Sequence, residues 1–127
     1  MAPLIQLDTH VVIWLYLPRL DLMSDLAGRM IGRDALTVSP MVILELTYLK
    51  QIGRLSVDRP AIVASLKDQL GLAIDDAPFR AVVGEAHAQQ WTRDPFDRLI
   101  AVQALVTGAA WVTADATMRE HVPNSVW

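Results

Sequence analysis

The stretch LIQLDTHVVIWLYL, residues 4–17, decides the fold. Its first four residues, Leu4–Leu7, make a short apolar run that begins just after Pro3 and stops at an acid, as a buried parallel strand does. Thr9 to Leu17 then reads as a strongly apolar helix, ended by Pro18 because proline cannot continue the backbone ladder. The same alternation recurs outward along the chain. A second helix is predicted from about Asp21 or Ser24 to Met30, with Gly32 near its end, and Ala35–Val38 is the next short strand. Ser39-Pro40 gives a cap followed by a preset first helical residue, opening a helix from Met41 to about Gln51.

Asp58 and Pro60 open a further helix that reaches Leu70 and stops at Gly71. Leu72–Ile74 is a candidate strand, and Pro78 starts a helix expected to run to about Gln89. Asp94-Pro95 opens the helix Phe96–Thr107, closed by Gly108. Ala110–Val112 is a strand running into Thr113-Ala114-Asp115 and a short helical turn, and Val122–Trp127 is a candidate edge strand. Short apolar strands alternating with helices predict a three-layer α/β/α sandwich around a mostly parallel sheet.

At 127 residues one domain is expected, residues 1–127, and 53% hydrophobic against 20% charged residues excludes a disordered chain. No cysteine is present, which removes disulfides, thiolate metal sites and cysteine nucleophiles, and fits a reducing compartment. The opening MAPLIQLD lacks a basic region before its apolar run, and the longest uncharged stretch, Leu99 to Ala114, is too short to span a bilayer. A cytoplasmic protein without a membrane association is the expectation. A formal charge of −3 argues against coating nucleic acid by bulk positive charge.

In α/β sheets ligands bind beyond the C-terminal strand ends, where helix N-termini also point. Asp8 ends the first strand, Asp115 follows a late one, Asp97 lies in the first turn after Pro95, and Glu45 lies in the helix after the second strand. Each has a plain structural alternative. Asp8 or Thr9 can cap the following helix, Asp94 can cap the helix that Pro95 begins, Asp97 can answer the helix dipole, and Asp115 can cap the turn at Ala116. Glu45 is the hardest to explain this way, because its helical neighbours are Met41, Val42, Tyr48 and Leu49. A carboxylate among apolar groups is costly unless paired or bound to a cation. The only lysines are Lys50 and Lys67, so Arg98 is the main candidate for a neutralising partner.

Carboxylates gathered in one cleft repel: two charges about 4 Å apart cost roughly 4 kcal/mol at an effective dielectric near 20. A hard divalent cation relieves this, and oxygen-only ligands favour Mg²⁺ or Mn²⁺ over zinc. Such an ion activates water and neutralises phosphoryl charge, so hydrolysis of a phosphodiester is the chemistry suggested.

These residues resemble the PIN-domain ribonucleases, specifically the VapC-type toxins of bacterial toxin–antitoxin pairs. LIQLDTHVVIWL is similar to the family's first motif and would supply Asp8; VSPMVILEL resembles the second and would supply Glu45. WTRDPFDRLIAVQAL is the most specific, placing the third acid on Asp97 with Asp94 as an accessory, and WVTADATM resembles the fourth, at Asp115. VPNSVW is similar to the subgroup's terminal strand. The resemblance implies Mg²⁺- or Mn²⁺-dependent endonucleolytic cleavage of RNA (tRNA or rRNA), a homodimer, and a small antitoxin that blocks the cleft and ties the pair to operator DNA.

Under this reading Asp8, Glu45, Asp97 and Asp115 hold the metal directly or through water, and a carboxylate takes the proton of the attacking water. Thr9, Ser39 and Thr113 carry hydroxyls near the acids, with caps and turns as their alternative role. Arg93 and Arg98 flank the third motif, either touching RNA phosphates or making internal ion pairs. His10 is read as a helix-surface residue, Trp14 and Trp111 as core, and Trp91 as able to line a groove. The apolar excess over Val11–Tyr16 hints at a surface for self-association or an antitoxin helix.

Two other classes are weighed. A non-catalytic PIN-like interaction module would keep the acids without cleaving RNA. A Mg²⁺-dependent phosphotransfer domain shares the strand-end acid. However, His10 stands where a phosphatase needs a second acid, and no lysine follows a late strand where a receiver needs one.

Overall fold

The central strand is the one the opening stretch announces. In a computed structural model that describes residues 3–127, β1 (Leu4–Leu7) pairs in parallel with β2 (Ala35–Val38) on one side and β4 (Ala110–Val112) on the other. Ile5 lies opposite Leu36 and Ala110, and Leu7 opposite Val112. β3 (Ala73–Ile74) extends the β2 side and β5 (Ser125–Val126) the β4 side, giving the order β3-β2-β1-β4-β5 with every pairing parallel. The chain order reverses direction across β1, which opens a crevice at the C-terminal ends of β1 and β4.

The helices are α1 (Thr9–Tyr16), α2 (Asp25–Arg33), α3 (Pro40–Gln51), α4 (Arg59–Leu70), α5 (Phe79–Ala86), α6 (Pro95–Thr107) and α7 (Ala116–His121). A single 3-10 turn, Leu20–Leu22, takes up Asp21, so α2 begins after Ser24, whose hydroxyl accepts the Ala27 amide at 3.1 Å. The α/β sandwich with a parallel sheet is therefore as the sequence predicts.

The core is the sheet with its covering helices. Ile5, Leu7, Val38, Val42, Leu46, Ile62, Leu66, Ile100, Trp111 and Val112 are buried in one cluster. Each such aliphatic side chain contributes roughly 1.5–3 kcal/mol when fully buried. Among the described residues no helix is long and apolar enough to cross a membrane.

Four expectations about elements are corrected. Leu72 is buried but not in a strand, because its amide bonds back to Leu66 O at 3.3 Å and completes the end of α4 around Gly71, at φ +69°. Helix α5 stops at Ala86 rather than near Gln89, since His87, Ala88 and Gln90 are exposed and none of them adds a buried contact. The C-terminal strand is only Ser125–Val126, because the Val122 amide is spent closing α7 onto Met118 O at 2.8 Å. Trp14, expected in the core, is half-buried instead, in an aromatic group described below.

Candidate active site

Strand ends and helix starts bring the predicted acids together. Asp8 follows β1, is 3% exposed, and its Oδ1 accepts the Thr9 amide at 2.8 Å, so it caps α1 and faces the crevice at once. Glu45 arrives on α3, which Ser39 caps at the Met41 amide (3.1 Å) and Pro40 starts. Asp97 sits in the first turn of α6. Asp115 follows β4 and caps α7, its Oδ1 accepting the Met118 amide at 3.1 Å. Asp8, Glu45, Asp97 and Asp115 line one open cavity of about 160 Å³, with Thr9, His10, Ile13, Leu49 and Met118 forming the rest of its wall.

The charges in this cavity are unbalanced. Asp97 has its pKa raised from 3.8 to about 7, first by loss of water and then by Asp94, Asp8, Glu45 and Asp115. Burial also raises Glu45, with Asp8 and Asp94 adding to it while the nearby Thr9 hydroxyl offsets part of the shift. Burial likewise raises Asp8, against the opposing pull of His10 and the hydrogen bonds from Thr113 and Thr9. Among the described residues no lysine or arginine forms an ion pair with any of the four; Lys50 pairs with Asp58 at 3.4 Å instead.

The residues singled out around the acids divide sharply. Asp94 is exposed, outside the cavity wall, and its Oδ1 accepts the Phe96 and Asp97 amides at 2.8 and 3.2 Å, so its observed role is to cap α6. Arg98 does not neutralise an acid: its Nε and Nη2 donate to Thr92 O at 3.2 and 2.6 Å and brace the loop before α6. Arg93 is exposed and makes no ion pair among the described residues. Ser39 is a helix cap whose hydroxyl also meets Gln103 Oε1 at 3.4 Å. Thr113 is no mere turn residue, since its hydroxyl donates to Asp8 Oδ2 at 2.7 Å across the β1–β4 boundary. Thr9 Oγ1 is buried in the cavity wall, near enough to Glu45 to favour its charged form but without a formed hydrogen bond.

Sequence reasoning missed His10. Its Nε2 accepts the Ala114 amide at 2.9 Å and its Nδ1 lies 3.5 Å from Asp8 Oδ2, so it belongs to the cavity rather than the helix surface. Ala114 lies 104 residues away, a contact no local pattern announces. Trp111 is fully buried as expected, whereas Trp91 is stacked flat on His121 at 5.4 Å and does not line the acidic cavity.

A PIN domain family model matches residues 5–122. The chain belongs to the PIN-domain family. None of the curated proteins matches the sequence. This PIN domain is similar in fold to VapBC2 from Rickettsia felis bound to a DNA fragment from its promoter, with 17% identity, a TM-score of 0.69, and 97% of this chain and 96% of that chain covered. It is also similar to DNA-bound VapBC from Salmonella typhimurium (21% identity, TM-score 0.64, 98% and 96% covered) and to a toxin–antitoxin complex from Klebsiella pneumoniae (15%, 0.63, 96% and 95%). At these identities the likeness speaks for the fold.

The donor set of the PIN domain fits a hard divalent cation in kind: carboxylate oxygens without a lysine or arginine partner, one of them raised to about 7 by loss of water and by its neighbours, beside a buried hydroxyl. Among the described residues, no three Asp, Glu or His side chains are placed close enough to hold an ion as they stand. The acids share a cavity without forming a ready-made cage.

Proposed function

We propose that this PIN domain is a divalent-metal-dependent endoribonuclease and the toxin of a toxin–antitoxin pair, with residues 1–127 acting as one nuclease domain in the cytoplasm. The observation that carries this is the cavity itself, where acids from four separate elements meet, and where loss of water and then the neighbouring carboxylates raise Asp97 to about 7. Asp8, Glu45, Asp97 and Asp115 would hold Mg²⁺ or Mn²⁺, directly or through water. When bound, such an ion supplies positive charge against a phosphoryl oxygen and lowers the pKa of water.

Within the chain's own chemistry, one of these carboxylates would accept a proton from the attacking water. Asp8 is the fixed point, tied at Oδ1 to the Thr9 amide and at Oδ2 to the Thr113 hydroxyl. Arg93, exposed one residue before the α6 cap, is free to meet an RNA phosphate, a role Arg98 gives up to Thr92. The hydroxyls of Ser39 and Thr113 are engaged within the protein, which leaves Thr9 Oγ1 to hold a water or phosphate oxygen. Val11 and Val12 are buried and Ile13, Trp14 and Tyr16 half-buried, so the apolar surface expected over Val11–Tyr16 lies instead at the exposed Leu17, Leu20 and Leu22 after α1 and Leu26 at the start of α2, and these would meet an antitoxin helix or a second copy. Solved structures similar to this fold are toxin–antitoxin complexes, two of them bound to DNA, which supports an antitoxin partner and contact with operator DNA through it.

The test is cleavage of tRNA and rRNA by the purified chain with Mg²⁺ or Mn²⁺, repeated with a chelator and with Asp8→Asn and Asp97→Asn. Metal-dependent cuts that both variants lose are expected, with sequencing of RNA ends after brief induction naming the site. Cleavage that survives chelation, or variants as active as wild type, would overturn the nuclease reading. No cleavage despite partner binding would favour the interaction module.

A further inference from the structure

His10 enters none of the chemistry above, yet it is placed where only a histidine's two nitrogens do both jobs. Its Nε2 faces the Ala114 amide at 2.9 Å. A backbone N–H can only donate, so Nε2 must present its lone pair, and the ring proton of the neutral imidazole then sits on Nδ1. Nδ1 lies 3.5 Å from Asp8 Oδ2, the oxygen that also accepts the Thr113 hydroxyl. The ring cannot turn freely, because Trp14 packs against it at 4.9 Å and Trp127, just after β5, at 6.5 Å, with the two indoles 5.9 Å apart. His10 therefore spans from the first turn of α1 to the loop between β4 and α7. That loop carries Asp115, whose amide donates to Thr113 Oγ1 at 3.1 Å.

We propose that His10 is a positioning residue that sets the Asp8 carboxylate and the Asp115 loop in register for a divalent cation, with Trp14 and Trp127 as its clamp. This deepens the nuclease reading and rests on it. Carboxylates that bind metals are themselves oriented by hydrogen bonds, and loss of such a partner typically weakens metal affinity about 10–100-fold. The need is specific here, because the acids line the cavity without converging, and a carboxylate set at both oxygens leaves fewer side chains to order when an ion arrives.

The two nitrogens can be separated by substitution. Asparagine places its amide near the Nδ1 position and keeps a donor toward Asp8, whereas glutamine reaches the Nε2 position and keeps an acceptor for Ala114. Binding of Mn²⁺ to the RNA-free chain is measured by paramagnetic resonance for wild type, His10→Asn, His10→Gln, His10→Ala and Asp8→Asn, with thermal melting of each in chelator. His10→Ala is expected to weaken Mn²⁺ binding about tenfold or more. His10→Asn and His10→Gln, each keeping one of the two contacts, should fall between His10→Ala and wild type, and melting of the metal-free His10 variants should not follow the same order.

Nitrogen-15 spectra of the wild-type imidazole should show the proton on Nδ1 and a bare Nε2. Wild-type Mn²⁺ affinity in His10→Ala, or a proton on Nε2, would overturn the positioning role. So would affinity losses that merely follow melting temperature. If wild type binds no Mn²⁺, or Asp8→Asn binds it equally well, the metal-dependent nuclease reading fails and takes this role with it. The imidazole spectrum then still reports whether His10 bridges Asp8 and Ala114.

Discussion

At the scale of single residues, the site is defined by carboxylates held out of balance. Asp97 rises from 3.8 to about 7 because it is partly dehydrated and faces four other acids. A carboxyl group with a raised folded pKa binds more protons in the folded state than in the unfolded state between those two values. Its contribution to stability is therefore present at low pH and is lost as pH climbs from about 4 to 7, after which it changes no further. In chelator, the melting temperature of Asp97→Asn relative to wild type should rise across that window. Mg²⁺ should stabilise wild type more at pH 7 than at pH 5, because only the ionised carboxylates attract it. A pH-independent difference between the two proteins would show that Asp97 is not strained by its neighbours. Thr113 supplies a second test at this scale. Thr113→Val removes the hydroxyl that satisfies Asp8 Oδ2 in a buried place, and should cost about 1–3 kcal/mol in urea unfolding. An unchanged midpoint would mean that water or His10 replaces the bond fully.

At the scale of elements, the placement of the acids follows from how helices begin. Asp8, Ser39, Asp94 and Asp115 each precede a helix and accept from its first amides, so capping and site-building are one arrangement in this fold. The element boundaries were legible where such chemistry is local: Ser39-Pro40, Asp94-Pro95, and glycines of positive φ at Gly71 and Gly108 all mark ends that the structure confirms. They were not legible where a helix-end bond competes with an apolar run that also suits a strand, as when the Leu72 amide returns to Leu66 O or the Val122 amide closes α7 on Met118 O. Asp8 and Asp115 could be named from their positions after strands, Asp97 from the helix start at Pro95 and Glu45 from its apolar helix neighbours, but the bridge from His10 to Ala114, 104 residues on, has no local signal. Asp94 remains the residue with two readings, ligand or cap, and its geometry predicts a cap. Asp94→Ala should destabilise the chain by about 1 kcal/mol, whereas Asp94→Asn should hold stability because asparagine caps as well as aspartate. In the cleavage assay Asp94→Asn should retain activity within about tenfold, while Asp8→Asn loses it. An Asp94→Asn variant as dead as Asp8→Asn would place Asp94 among the ligands.

At the scale of the whole molecule, the sheet order sets which parts of the site are rigid. β1 is bonded on both sides, and the Asp8 amide itself bonds to Val112 O at 3.0 Å, so Asp8 hangs from the middle of the fold. Asp115 and Asp97 sit instead on exposed or half-buried helix starts, and β3 and β5 are two-residue edges. A net charge of −3 adds no inward pull on RNA, so under the proposed function a bound ion would organise the outer acids as well as offset them. Hydrogen exchange resolves this arrangement by segment. Amides of Gln6, Leu7 and Asp8 should exchange near the rate of global unfolding, while those of Ala73–Ile74 and Ser125–Val126 exchange much earlier, because edge strands open without breaking the core. Under the proposed function, adding Mg²⁺ should slow exchange most in the first turn of α6 and in residues 113–118, where bound acids suppress local opening, while β1 slows only by the gain in global stability. If α6 and residues 113–118 slowed no more than β1, the ion would act on global stability alone, and extra protection confined to β1 would reverse the division between a centrally held Asp8 and the outer acids.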